Sequence, residues 1–163
     1  VGYEGLREVM DVPLSREVPE EDFIHDLNAA LPPLIRCLEA RLLPDDHPKP
    51  MAVLAAAGYL IRPQEDALRL QQSLHEYLQQ DTLPAQRKGK AGMVQFDLRP
   101  LIYHLRPQDE SITALLALSQ QGTCRPDLLV QSLSEFAGLN QPPPCLISRT
   151  GLYTDRFVPL EKA

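Results

Sequence analysis

The sequence predicts an α+β fold, in which a ferredoxin-like βαββαβ unit is preceded by the end of a second, similar unit. Short apolar runs with the two-residue period of strands alternate with stripes that have the 3.6-residue period of helices. Each helical stripe follows a proline and acidic residues, which favour a helix start. The turn-rich residues 44–50 separate the two units, so we expect one domain over residues 1–46, a second over residues 51–153, and a loosely held tail over residues 154–163.

The first unit is predicted as strand, helix, strand. Residues 10–18 alternate apolar and polar side chains, and Pro13 removes a ladder donor, so an edge strand is expected. After Pro19, three acidic residues and an apolar stripe that runs to Leu31 predict a helix, which the next two prolines stop. A second alternating run over residues 34–42 predicts another strand on the far side of this helix.

The second unit supplies the βαββαβ order. The nearly continuous apolar run at residues 112–118 indicates a central strand, and Gly138 suits a helix C-cap. In chain order the expected elements are a strand at residues 59–61, a helix over 67–78, strands over 101–105 and 112–118, a helix over 126–137, and a strand over 145–148.

Composition indicates a globular protein with reduced thiols. The chain has 163 residues, 44% of them hydrophobic, which suffices for one domain or two small ones. No apolar stretch approaches the roughly 20 residues of a transmembrane helix, and no secretory signal opens the chain, so we expect a cytoplasmic protein without a membrane partner. Three cysteines far apart in sequence, and four histidines without ligand spacing, predict no disulfide and no metal site.

The net charge of −6 is unevenly distributed. Residues 1–81 carry 7 basic and 15 acidic residues, residues 82–163 carry 9 and 7, and the stretch 82–106 carries 5 and 1. A basic stretch in an otherwise acidic protein hints at an anionic partner, such as RNA or a phosphate-bearing ligand.

Five basic residues form the candidate anion-binding site, namely Arg87, Lys88, Lys90, Arg99 and Arg125. The first three surround a glycine, whose backbone can approach a phosphate closely. A solvated hairpin loop would have the same composition, so the two interpretations stay open.

The other two members also have structural alternatives. In the stretch 97–100, Asp97 caps a turn in the favoured interpretation, whereas Arg99 contacts the anion in the other. Arg125 precedes Pro126 and Asp127 at a helix start, where unpaired backbone amides bind anions. The favoured interpretation there is that the proline and the aspartate start the helix well.

The sequence contains no complete catalytic site. It has no Gly-x-Ser-x-Gly elbow, no Gly-x-x-x-x-Gly-Lys phosphate loop and no Cys-x-x-x-Cys-x-x-Cys run for an iron–sulfur cluster. We therefore expect no cofactor and assign no catalytic residue.

Short motifs along the chain carry a resemblance to a known family. They are Leu27-Asn28-Ala29-Ala30-Leu31-Pro32, Arg87-Lys88-Gly89-Lys90, Asp97-Leu98-Arg99-Pro100, Gly122-Thr123-Cys124-Arg125-Pro126-Asp127 and Arg149-Thr150-Gly151-Leu152. In the order and spacing of these motifs the chain resembles the uncharacterised bacterial family encoded beside, or fused to, radical SAM proteins. The resemblance implies association with a radical SAM protein and no established reaction. The family's N-terminal portion, with its Ser-His-Leu-Asp and Asn-Pro-His-Pro stretches, has no counterpart here, so we expect an upstream segment before Val1.

Three functions stay open at this point. The first is a non-catalytic accessory domain that binds RNA or another anion, although aromatic residues make up only 6% of the chain and no Lys-Gly-Phe-Gly-Phe-type stacking motif occurs. The second is a protein-interaction scaffold for the radical SAM protein, which the negative charge and the apolar helical faces favour. The third is part of an enzyme whose active residues lie in the upstream segment.

Overall fold

The computed structural model describes residues 3–89 and 92–162. The chain divides into two compact units, of which one comprises residues 10–49 and the other, the larger unit, comprises the residues before and after them. In chain order the elements are β1 (Glu4–Gly5), α1 (Glu20–Ala30), α2 (Pro50–Val53), β2 (Leu54–Pro63), α3 (Ala67–Leu78), β3 (Pro84–Gly89), β4 (Gly92–Asp97), β5 (Ile102–Gln108), β6 (Ser111–Ala117), α4 (Pro126–Phe136) and β7 (Cys145–Thr154), with short 3₁₀ turns at Arg99–Leu101 and Leu160–Lys162.

The larger unit contains a five-stranded sheet in the order β1-β7-β2-β6-β5. Its last four members are the strands of the βαββαβ unit, and every neighbouring pair among them is antiparallel. This order, fourth-first-third-second, is that of a ferredoxin-like sheet, so the predicted α+β fold class is confirmed. β1 extends the sheet by pairing in parallel with β7, where Glu4 lies opposite Ser148.

The core lies between this sheet and the helices α3 and α4. Alternate residues of the central strands are buried there, including Ile61 on β2 and Leu116 on β6. The apolar stripes that predicted the helices supply the other side, as Leu70 on α3 and Leu129 on α4 show with exposures of 0% and 1%. Burying each such side chain contributes about 1.5–3 kcal/mol. Gly138 has a φ of +71° just past α4, and Leu139 N–H donates to the Ser134 carbonyl, so the predicted glycine cap is confirmed.

A two-stranded sheet, β3 paired with β4, is inserted between α3 and β5. No strand pair was predicted there, although a hairpin loop was one interpretation of the basic run, because β3 is rich in polar residues and lacks an apolar alternation. After β7 the chain is held as well, since Thr154 N–H donates to the Val158 carbonyl and Leu160 is buried in the core.

Residues 10–49, all of them described, contain α1 and no strand. The predicted helix is confirmed, and it ends at Ala30 before the two prolines. The strands predicted over residues 10–18 and 34–42 are wrong. The alternation there reflects side chains that are exposed on both sides, and no neighbouring strand supplies a ladder.

A side-chain clasp replaces the ladder in the second of these segments. The Asn28 amide donates to the Cys37 carbonyl at 3.0 Å and accepts from the Cys37 N–H at 2.8 Å, as a neighbouring strand would. The Glu20 carboxylate accepts from Leu42 N–H at 2.9 Å. These bonds fix residues 37–42 alongside α1, in the opposite direction to the helix.

Candidate functional site

The β3–β4 hairpin presents the basic run of the sequence on a two-stranded ribbon. Arg87 lies opposite Val94 and Lys88 lies opposite Met93 in its register. Lys90 lies outside the described residues. Met93 and Val94 are 63% and 45% exposed, so the outer part of the ribbon offers apolar as well as basic contacts.

Arg87 is held in place by an aromatic ring. Its guanidinium carbon lies 5.2 Å from the centroid of the Phe96 ring, which is a cation–π arrangement. Phe96 and its cross-strand partner Ala85 pack against the core of the larger unit. The cation is therefore placed on a supported surface while the residue itself stays exposed to solvent.

The root of the hairpin is closed by Asp97. Its Oδ1 accepts hydrogen bonds from Leu83 N–H at 2.7 Å and from Arg99 N–H at 2.9 Å. The preferred interpretation of this stretch, in which Asp97 caps a turn, is confirmed. Because Leu98 is fully buried between these contacts, the half-exposed Arg99 is anchored at the foot of the ribbon.

Arg125 has a different environment. Its guanidinium makes two bonds to the Asp127 carboxylate, at 3.0 and 2.6 Å, and Tyr3 donates to the same carboxylate at 2.8 Å. Burial alone would raise the pKa of the Asp127 carboxyl, but the hydrogen bonds from Tyr3 and Arg125 and the charge of Arg125 together hold it below its ordinary value. An anion at the start of α4 would have to compete with this carboxylate. The anion role of Arg125 stays a prediction, and its contacts favour the helix-start interpretation.

The structure thus gathers part of the predicted site and separates part of it. Arg87 and Lys88 share one strand, and Arg99 follows at the base of the same hairpin. Arg125 lies at the start of α4 and is bound to its own acid.

A polar network that sequence reasoning missed ties β1 to the rest of the larger unit. Ser148 donates to Glu4 at 2.8 Å, and Arg149 makes two bonds to Glu8 at 2.8 and 2.5 Å. Burial and the bond to Asp127 raise the pKa of Tyr3, which packs edge-on against Tyr59. The partners are 124 to 144 residues apart, so no spacing could have revealed them. The sequence feature that pointed to this network was the family-resemblance motif Arg149-Thr150-Gly151-Leu152.

A pocket of about 350 Å³ adjoins this network. Its polar end is formed by the residues that already bond to one another, and its apolar wall by prolines and aliphatic side chains. The lining residues are Tyr3, Arg125, Asp127, Val130, Pro142, Pro143, Cys145 and Ile147.

On the face of the sheet opposite α3 and α4, the described residues of the two central strands include no aromatic side chain, whereas the Tyr153 ring of β7 lies beside Gly58. In RNA-binding sheets, aromatic side chains on the two central strands stack on bases. Here the central strands carry Gly58 and Leu60 on β2, and Thr113 and Leu115 on β6, as the register places them opposite one another.

Within the described part of the chain, no group of three or more His, Cys, Asp and Glu side chains is placed to hold a metal ion. In that same part, no helix combines the length and apolar character needed to cross a membrane. The three cysteines are unpaired thiols, and burial raises the pKa of Cys124 to about 12.

No curated protein and no solved structure is similar to the chain at a significant level. A family model matches residues 1–126, which include the hairpin and all the strands before β7. The chain belongs to the bacterial family described as "Uncharacterized protein conserved in bacteria (DUF2344)".

Proposed function

We propose that this chain is a non-catalytic accessory module of a radical-SAM-associated protein, and that its β3–β4 hairpin binds RNA. The observation that carries the binding role is the exposed Arg87, stacked on Phe96 beside Lys88 on a ribbon rooted in the core. The stacked guanidinium of Arg87 provides charge and a flat surface for a base, and Met93 and Val94 are exposed on the same ribbon.

The charge distribution supports the same role. The stretch 82–106 carries 5 basic residues and 1 acidic residue in a chain whose net charge is −6. The acidic residue of that stretch, Asp97, is engaged with backbone N–H groups at the root of the hairpin. It is therefore not available to neutralise the cations farther out.

The association with a radical SAM protein rests on the resemblance of the short motifs to a family encoded beside such proteins. Two of those motifs have structural roles in this chain, since Asn28 clasps Cys37 and Asp97 closes the hairpin. Copurification of the full-length protein with the radical SAM protein encoded beside it would test this part of the proposal.

Binding of a fluorescently labelled single-stranded RNA, measured by anisotropy at a series of salt concentrations, tests the hairpin. The logarithm of the affinity should fall with the logarithm of salt by about 0.7 for each phosphate neutralised. The triple variant Arg87→Ala, Lys88→Ala, Lys90→Ala should flatten that slope by about two units. Its Tm should change by no more than a few degrees, because exposed charges contribute little to stability.

A matched triple variant of exposed arginines elsewhere in the larger unit is the control, namely Arg62→Ala, Arg106→Ala and Arg156→Ala. It removes the same number of charges and should leave the slope unchanged within error. A flattened slope in the control but not in the hairpin variant would assign RNA to the sheet face and contradict the proposal. Absence of binding at low salt by the longest available form of the protein would contradict it as well.

A further inference from the structure

The two faces of the β3–β4 hairpin carry different side chains. In an antiparallel pair, residues directly opposite each other share a face, and successive residues along each strand alternate between the faces. Arg87 and Phe96 therefore share one face, and their cation–π contact lies there. Gln86 lies directly opposite Gln95, so both glutamines belong to the other face. Met93, which is 63% exposed, precedes Gln95 by two residues and lies on the glutamine face as well.

The two carboxamides are not engaged within the folded chain. Gln86 and Gln95 are exposed, and neither side chain forms a hydrogen bond with another residue in the part of the chain that the structure describes. In a directly opposite pair the Cβ atoms lie about 4.5–5.5 Å apart. Two neighbouring amides on this face therefore keep their donors and acceptors for a ligand.

A glutamine side chain matches one edge of one base. Its carboxamide places an N–H donor beside a C=O acceptor. The edge of adenine that carries N7 presents the complementary N6 amino donor and N7 acceptor, and a glutamine can bind both groups at once. The same edge of guanine presents two acceptors, which suit arginine instead. Cytosine and uracil are pyrimidines and have no N7, so a carboxamide that binds this edge selects adenine.

We infer that the hairpin recognises adenine in single-stranded RNA, and that Gln86 and Gln95 bind the N6 and N7 groups of the base. This inference rests on the proposed RNA binding by the hairpin and names the class of RNA that it takes. The base ring packs on the Met93 thioether, while Arg87 on the other face holds a phosphate or a neighbouring base. The RNA is single-stranded because the N7 edge of an RNA duplex faces a deep, narrow groove that side chains cannot read.

The probes are two labelled RNAs of about 12 nucleotides, close to the length that one single-strand-binding module covers. One contains only uridine, and the other carries a central run of adenosine in the same uridine background. Fluorescence anisotropy should show that the chain binds the adenosine RNA about tenfold more tightly, the discrimination that a bidentate contact provides. Replacing each adenine by 7-deazaadenine removes the N7 acceptor but keeps the ring and the Watson–Crick edge, and it should abolish this advantage.

A pair of glutamine variants assigns the preference to the hairpin. Gln86→Met with Gln95→Met keeps the side-chain length but removes both amides, so this variant should bind the two RNAs equally and keep the salt dependence of the unchanged chain. The control is Gln64→Met with Gln108→Met, which replaces two exposed glutamines outside the hairpin. It should retain the preference for adenosine RNA.

The results distinguish this inference from the proposed function on which it rests. Equal affinity of the unchanged chain for the two RNAs would overturn the adenine inference alone, if the triple variant of the hairpin cations still flattens the salt slope. A preference that survives 7-deazaadenine or the Gln86→Met, Gln95→Met variant would also overturn it, because stacking would then explain the preference. Absence of binding of both RNAs at low salt would overturn the inference and the proposed function together.

Discussion

Residues 10–49 and the larger unit have nearly the same apolar content and opposite burial. Of the 40 residues in the first, 17 are hydrophobic, close to the 44% of the whole chain. Yet none of them is buried, while Leu70, Leu98 and Leu116 of the larger unit are completely covered. Apolar content alone therefore does not make a core. In the larger unit, side chains are buried because paired strands form a sheet and two helices cover one of its faces.

Proline placement accounts for much of the difference. Six of the 16 prolines fall within residues 10–49, and each lacks the N–H that a strand ladder requires. In the larger unit, β2 and β7 are each 10 residues long, and β6 lies between β2 and the edge strand β5. In the larger unit, backbone N–H and C=O groups of the strands pair in a ladder. In residues 10–49, the side chains of Asn28 and Glu20 accept hydrogen bonds from backbone N–H groups instead.

The largest expected contrast is in thiol reactivity. Cys124 is 1% exposed, and burial raises its pKa to about 12, whereas Cys37 is half-buried in the coreless unit. Alkylation requires an accessible thiolate, so Cys124 should react only through opening of the core, which costs about 5 kcal/mol or more. Mass spectrometry of peptides after brief iodoacetamide treatment near neutral pH should show Cys37 modified at least about a thousandfold faster. Comparable rates at the two sites would contradict the contrast.

A matched pair of leucine substitutions sharpens the same comparison. Leu116→Ala removes a side chain with 0% exposure from the central strand β6, and it should lower the free energy of unfolding by about 2–5 kcal/mol. Leu34→Ala removes one that is 99% exposed, and it should change that free energy by no more than about 0.5 kcal/mol. Urea denaturation with an unchanged m-value measures both. A cost above about 1 kcal/mol for Leu34→Ala would mean that Leu34 is part of a core after all.

The sequence predicted those elements of the fold whose apolar residues recur with a helical or strand period. The helices over residues 20–30, 67–78 and 126–136 were found because each has an apolar stripe and a proline-marked start. The strand order could be predicted because it follows from a known arrangement of those elements. A hairpin loop was one interpretation of the basic run, but the strands β3 and β4 were not predicted, because Phe96 and Asp97 hold their root and β3 has no apolar alternation.

The same limit explains the site. Arg87 and Lys88 are adjacent in sequence, so their proximity was predictable from the run itself. The hydrogen bond between Tyr3 and Asp127 joins residues 124 positions apart, and no local sequence pattern predicts it. The strands predicted over residues 10–18 and 34–42 were wrong because alternation reports which residues share a side, and it does not report whether a neighbouring strand exists.

The central claim is that the basic β3–β4 hairpin, and not the five-stranded sheet, is the RNA-binding surface of this chain. Hydrogen exchange by mass spectrometry tests it most directly, with the full chain alone and with single-stranded RNA. RNA should slow exchange in residues 84–97 and leave residues 20–42 unchanged. Protection confined to the five-stranded sheet would contradict the account.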